Sequence, residues 1–91
     1  MWTPYTWEPV DRHGLPFRAT FFLKEGARVE EMVAILGGKR FPFTLTEGGA
    51  ELVIPPSEMS QIDDRSPAEI RVKVAGMWTV LCEGHLVRRV L

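Results

Sequence analysis

Glycine and proline break this chain at short intervals, eight glycines and seven prolines in 91 residues. No uninterrupted piece is long enough for a bundle of helices. Many pieces alternate apolar and polar residues with period two, the pattern of half-buried strands. Ala68, Ile70, Val72 and Val74 against Glu69, Arg71 and Lys73 are the clearest case. Phe17, Ala19, Phe21 and Leu23 share one face of the segment from Leu15 to Lys24, with Arg18, Thr20 and Lys24 on the other. Phe22 interrupts that polar face, so part of it is expected to be covered. Phe41, Phe43 and Leu45 align along Phe41 to Thr46, and Ala50 to Ile54 returns after Glu47-Gly48-Gly49 as the second arm of a hairpin.

Other segments are less direct. Val29, Met32, Val33 and Leu36 have helical spacing, but Met32 to Leu36 is also a continuous apolar run of strand length. Residues 28–36 therefore read as helix or strand, and the strands on either side favour strand. Pro55-Pro56 stops the preceding strand. Ser57 is expected to cap one helical turn over Glu58 to Ile62, with Met59 and Ile62 on a shared face. Met77 to Glu83 is rich in β-formers, Gly84 marks a bulge or bend, and His85 to Leu91 is a last strand. Trp2 to Val10 is aromatic but contains Pro4 and Pro9, which suit an edge strand or an extended arm over residues 1–9. The expected fold is mainly all-β: one domain, residues 1–91, a small antiparallel β-sandwich or barrel of six to eight short strands with one helical turn.

Charge and composition narrow the function. Eleven basic residues against twelve acidic leave a net charge of -1, without the basic excess of a nucleic-acid module. The competing idea, a small β-barrel that binds nucleic acid, rests on Lys39-Arg40 beside Phe41 and Phe43, and on Arg88-Arg89. No run approaches the length of a membrane span, and the N-terminus lacks the basic start and apolar run of a signal peptide. The single cysteine, Cys82, is expected to be a buried free thiol in a reducing compartment.

Catalysis finds little support. His13 lies in a turn and His85 in a strand. Ser57, Ser60 and Ser66 fit no nucleophile motif. Asp63-Asp64 lacks the spacing of a calcium loop, and Gly37-Gly38-Lys39 is no phosphate cradle. The expectation is no enzyme, no cofactor and no metal. The aromatic cluster Trp2, Tyr5 and Trp7 is either strand packing or a docking arm, because Trp and Tyr are enriched at interfaces. The last strand is a second candidate contact, through Leu86, Arg88 and Val90.

Three stretches together carry a resemblance. They are Trp7 to Phe17, with its D-x-x-G turn; Ala50 to Met59, a strand entering a helical turn; and Glu69 to Val74 followed by Trp78 to Arg89, with G-x-L-V-x-R near the end. Their order resembles the small immunoglobulin-like β-sandwich modules of tailed-bacteriophage tail, baseplate and neck proteins. That resemblance implies a non-enzymatic virion component, assembled in the host cytoplasm. It would bind other virion proteins, in tail, neck or capsid, as a homo-oligomer or in many symmetric copies. The family carries no catalytic residues to transfer.

Overall fold

The computed structural model describes residues 4–23 and 28–89. The chain is all-β apart from one short helix. Its elements are β1 (Tyr5–Thr6), β2 (Val10–Arg12), β3 (Phe17–Phe22), β4 (Glu31–Leu36), β5 (Lys39–Pro42), β6 (Thr44–Thr46), β7 (Gly49–Ile54), α1 (Pro56–Met59), β8 (Pro67–Val74), β9 (Met77–His85) and β10 (Val87–Arg89). Strands β1-β9-β8-β4-β5 form one sheet, β3-β7-β6 a second, and β10-β2 a small third. The larger sheets bury Met32, Ala34, Leu36, Ile70 and Val72 against Phe17, Ala50, Leu52 and Ile54 in one core cluster. The architecture is a β-sandwich.

The ambiguous segment forms strand β4, so the helical spacing does not decide it. Met32, Ala34 and Leu36 face the core, and Val33 is also buried, opposite Pro42 and Arg71 on the other face. A strand covered on both faces reads as a continuous apolar run. The two-residue loop Gly37-Gly38 turns β4 into β5, with φ of 57° and 86°, the left-handed conformation that a type I′ hairpin requires.

Phe41 to Thr46 is not one strand. Phe41 pairs with Ala34 in the first sheet, whereas Thr44 pairs with Glu51 in the second. The chain crosses between layers at Phe43, whose N–H still donates to the Met32 carbonyl at 2.8 Å and whose ring is buried. The hairpin with Ala50 to Ile54 is present, but only its β6 half belongs to it. The crossing and a split at Pro9 bring the strands among the described residues to ten, above the expected six to eight, while the break before the last strand moves from Gly84 to Leu86.

The helical turn starts earlier than expected. Pro55 occupies the N-cap position, Pro56 opens the helix, and Ser57 makes no capping hydrogen bond. Its carbonyl instead accepts from the Ser60 hydroxyl at 2.9 Å. Met59 and Ile62 are buried together, as their spacing requires.

Gly84 is not a bulge. The bulge lies at Leu81: Ile70 faces Cys82 but Arg71 faces Val80, leaving Leu81 as the extra residue. It reverses the alternation of β9. Trp78 and Val80 share the outer face with Lys73 and Arg71, while Cys82 turns inward opposite Ile70. Gly84 instead admits another backbone. The N-terminal segment runs parallel to the C-terminal one, with Tyr5 opposite Cys82 and Arg12 opposite Arg89 in a constant register. At the centre of this pairing, a Cβ on Gly84 would lie 1.8 Å from the Trp7 carbonyl oxygen. Only glycine permits that approach.

Two substitutions test these backbone assignments. Gly84→Ala should destabilise the fold by about 3 kcal/mol or more, because the obstructing atoms are main chain and cannot rotate away. Ala75, at φ 52°, is the non-glycine half of the β8–β9 turn. Ala75→Asn should stabilise by about 0.5 kcal/mol, since asparagine tolerates that conformation. Urea unfolding reads both, and an unchanged midpoint for Gly84→Ala would refute the close approach.

Candidate functional site

The six residues expected at a contact separate into three groups. Trp2 and Val90 lie outside the described residues. Leu86 and Arg88 are engaged by partners within the chain. Leu86 is fully buried in the core cluster. Its N–H donates to the Ser66 carbonyl at 2.9 Å, and its carbonyl accepts from Arg65.

The Arg88 side chain makes three hydrogen bonds within the chain. Its Nε donates to Asp11 Oδ2 at 2.9 Å and its Nη2 to the Met59 carbonyl at 2.8 Å and the Ile62 carbonyl. Its backbone N–H donates to Asp64 Oδ1 at 2.8 Å. Asp11 is the one buried charged residue among those described.

Tyr5 and Trp7 remain. Trp7 is half-buried, its ring edge-on to Phe17 and Phe21 at 6.5 and 6.4 Å between centroids. Tyr5 is 63% exposed. It borders a cleft of about 460 Å³ with Trp7, Phe21, Phe22, Leu81 and Cys82. The cleft marks where the sandwich stays open, between the edge strand β1 and the edge strand β3. Phe22 is 90% exposed at its rim, so the described residues do not supply the expected cover over this face of β3. Cys82 is a free, buried thiol at its floor, and burial pushes its pKa up, away from nucleophilic reactivity.

The other hollows offer little chemistry. One of about 620 Å³ is bordered by Glu69, Glu83 and His85, and no serine or cysteine lines it among the described residues. Glu69 and Glu83 face one another across β8 and β9, and Arg71 pairs with Glu69 at 2.6 Å. His13, Asp11 and Ser60 border a hollow of about 80 Å³, the residue types of a hydrolytic triad. They are not wired as one. Asp11 accepts from Arg88, and the Ser60 hydroxyl donates to Ser57. Among the described residues, no three or more His, Cys, Asp or Glu side chains are placed to hold a metal ion.

The nucleic-acid reading loses its platform. Phe43 is 7% exposed and Phe41 half-buried against the core. Lys39 is hydrogen-bonded to Gln61 at 2.6 Å, and Arg88 is held by Asp11. What the sequence concealed is Arg40 stacked over Trp78, 5.7 Å from the ring centroid. These residues lie on β5 and β9, which are separated in the sheet by β4 and β8 and are distant in sequence, so no local pattern announces their contact.

Arg88→Met should destabilise the protein by about 3–5 kcal/mol, because it leaves the buried Asp11 carboxylate without its partner. Lys73→Met removes the more exposed pair with Glu31, 3.4 Å long, and should cost less than about 1 kcal/mol. Equal losses in chemical denaturation would contradict the internal role of Arg88. Comparison with known protein families, with curated proteins and with solved structures gives no match.

Proposed function

We infer that this chain is a non-enzymatic structural module of a tailed-phage particle, which docks on other virion proteins in symmetric copies. The observation that carries a docking role is the open side of the sandwich. Tyr5, exposed by 63%, and Phe22, exposed by 90%, stand on either side of an apolar cleft. Leaving an aromatic ring of this size in water forgoes roughly 1.5–3 kcal/mol of burial, which a partner surface can recover. The phage assignment draws its support from the resemblance of Trp7 to Phe17, Ala50 to Met59 and Glu69 to Arg89. The internal commitment of Asp11, Ser60 and Cys82 agrees with a role without catalysis.

The test is the protein composition of purified particles of the phage that encodes the chain. Mass spectrometry should find it in the particle at a fixed stoichiometry to a tail, neck or capsid protein. Its absence from intact particles would end this reading.

A further inference from the structure

Four strands form the outer edges of the two larger sheets: β1, β5, β3 and β6. An open strand edge is a template for another strand, and natural proteins blunt such edges with short length, proline or lysine. β1 has two residues between Pro4 and Pro9, and β6 has three. β5 runs Lys39-Arg40-Phe41-Pro42. β3 is the longest of the four, six residues, Phe17–Phe22, with no proline or lysine within it, and Arg18 is its one charged residue.

Its hydrogen bonding leaves one side open. The Leu23 N–H donates to the Gly48 carbonyl at 2.9 Å. Antiparallel alternation then places Phe21, Ala19 and Phe17 in the same set, bonded to β7. The N–H and C=O groups of Arg18, Thr20 and Phe22 point away from β7. Among the described residues, no backbone hydrogen bond from outside the ladder reaches them.

We propose that this edge pairs with the same edge of a second copy of the chain, antiparallel about a two-fold axis at Thr20. The backbone and the side chains together select that register. With Thr20 opposite its own copy, Arg18 falls opposite Phe22, and all three outward N–H groups and all three carbonyls of each chain are used. A register centred on Arg18 sets two guanidinium groups together and brings in Pro16, which has no N–H to give. A register centred on Phe22 leaves Arg18 beyond the partner strand's end. The side chains agree with the Thr20 register. On the outer face, each Arg18 guanidinium meets the exposed Phe22 ring of the other copy, a cation–π contact. On the inner face, Ala19 lies opposite Phe21, small against large, beside the apolar cleft. The pairing joins the two three-stranded sheets into one and covers Phe22.

This pairing deepens the structural role proposed above and rests on it only for its biological purpose. Solution mass reads the pairing, and particle composition reads the role. Sedimentation of the full chain, from micromolar to sub-millimolar concentration, should give twice the chain mass. Thr20→Pro removes an N–H that the β7 ladder does not use, so it should give a monomer with unchanged far-UV circular dichroism. Phe22→Arg sets arginine against arginine and should raise the dissociation constant roughly tenfold or more. Adding Arg18→Phe to that variant restores the pair across the axis and should restore the dimer.

A wild-type chain that stays monomeric throughout overturns the proposal. So does a dimer that both Thr20→Pro and Phe22→Arg leave intact, because it forms through another surface. A monomeric chain whose Thr20→Pro variant is lost from particles also overturns it, and assigns the edge to a strand of a different protein.

Discussion

The guanidinium of Arg88 holds together three parts of the chain that no local preference would join. It binds the carboxylate of Asp11 in the N-terminal segment and the carbonyls of Met59 and Ile62 at the end of the helical turn, and it rides on the C-terminal strand β10. The last carbonyls of a helix lack intrahelical donors; that of Met59 also accepts from the Ile62 N–H at 3.0 Å, and Arg88 serves it a second time. A planar fork of N–H donors can serve two carbonyls and a carboxylate together, which a lysine ammonium on its flexible stem would hold less firmly. Asp11 is 3% exposed, so its charge is tolerable only because this partner is in place. The Asp64 carboxylate completes the clamp by accepting from the Arg88 backbone.

Parallel pairing of the two end segments depends on that clamp and on one glycine. Parallel neighbours need a long connection, and here almost the whole domain is the connection. Loop closure on that scale is costly in entropy and must be offset by contacts made at the ends. The constant register from Tyr5 opposite Cys82 to Arg12 opposite Arg89 supplies ladder bonds at both ends. Between them, the Trp7 backbone passes over Gly84 and sets the Trp7 ring edge-on to Phe17 and Phe21. A half-buried cation and a missing side chain thus do what a disulfide does in other small domains, in a chain with one cysteine.

What could be read from the sequence was what is local. Period two in Ala68 to Val74 and Ala50 to Ile54 marked real strands, because each has one face on the core and one toward water. Met32 to Leu36 had no period to read, since Val33 is buried on the outer face by its sheet neighbours. Phe41 to Thr46 kept its alternation while changing sheets, so the pattern concealed the crossing at Phe43. The Leu81 bulge left no mark in β9, whose residues are β-formers on either side of it. At the candidate contact, Tyr5 was legible as an exposed aromatic. Leu86 and Arg88 were not legible as internal, because their partners lie in Ser66, Asp11 and the helical turn, distant in sequence. Phe22 stood out as an apolar residue on a polar face, and its position was informative for the opposite reason to the one expected.

The two sides of the sandwich therefore differ in how their backbone is satisfied. Along the terminal segments, every device works toward closure: paired strands, a buried ion pair, and a glycine that lets two backbones touch. Along β3, no backbone hydrogen bond from another described residue outside the ladder reaches the outward N–H and C=O groups, and Phe22, the most exposed aromatic ring among the described residues, stands beside them. A domain of this size buries a limited share of its surface, so its folded state gains from anything that binds it and not the unfolded chain. An edge strand fixed on β7 and backed by Trp7 loses little conformational freedom when another strand adds to it, and the hydrogen bonds formed there are net gain.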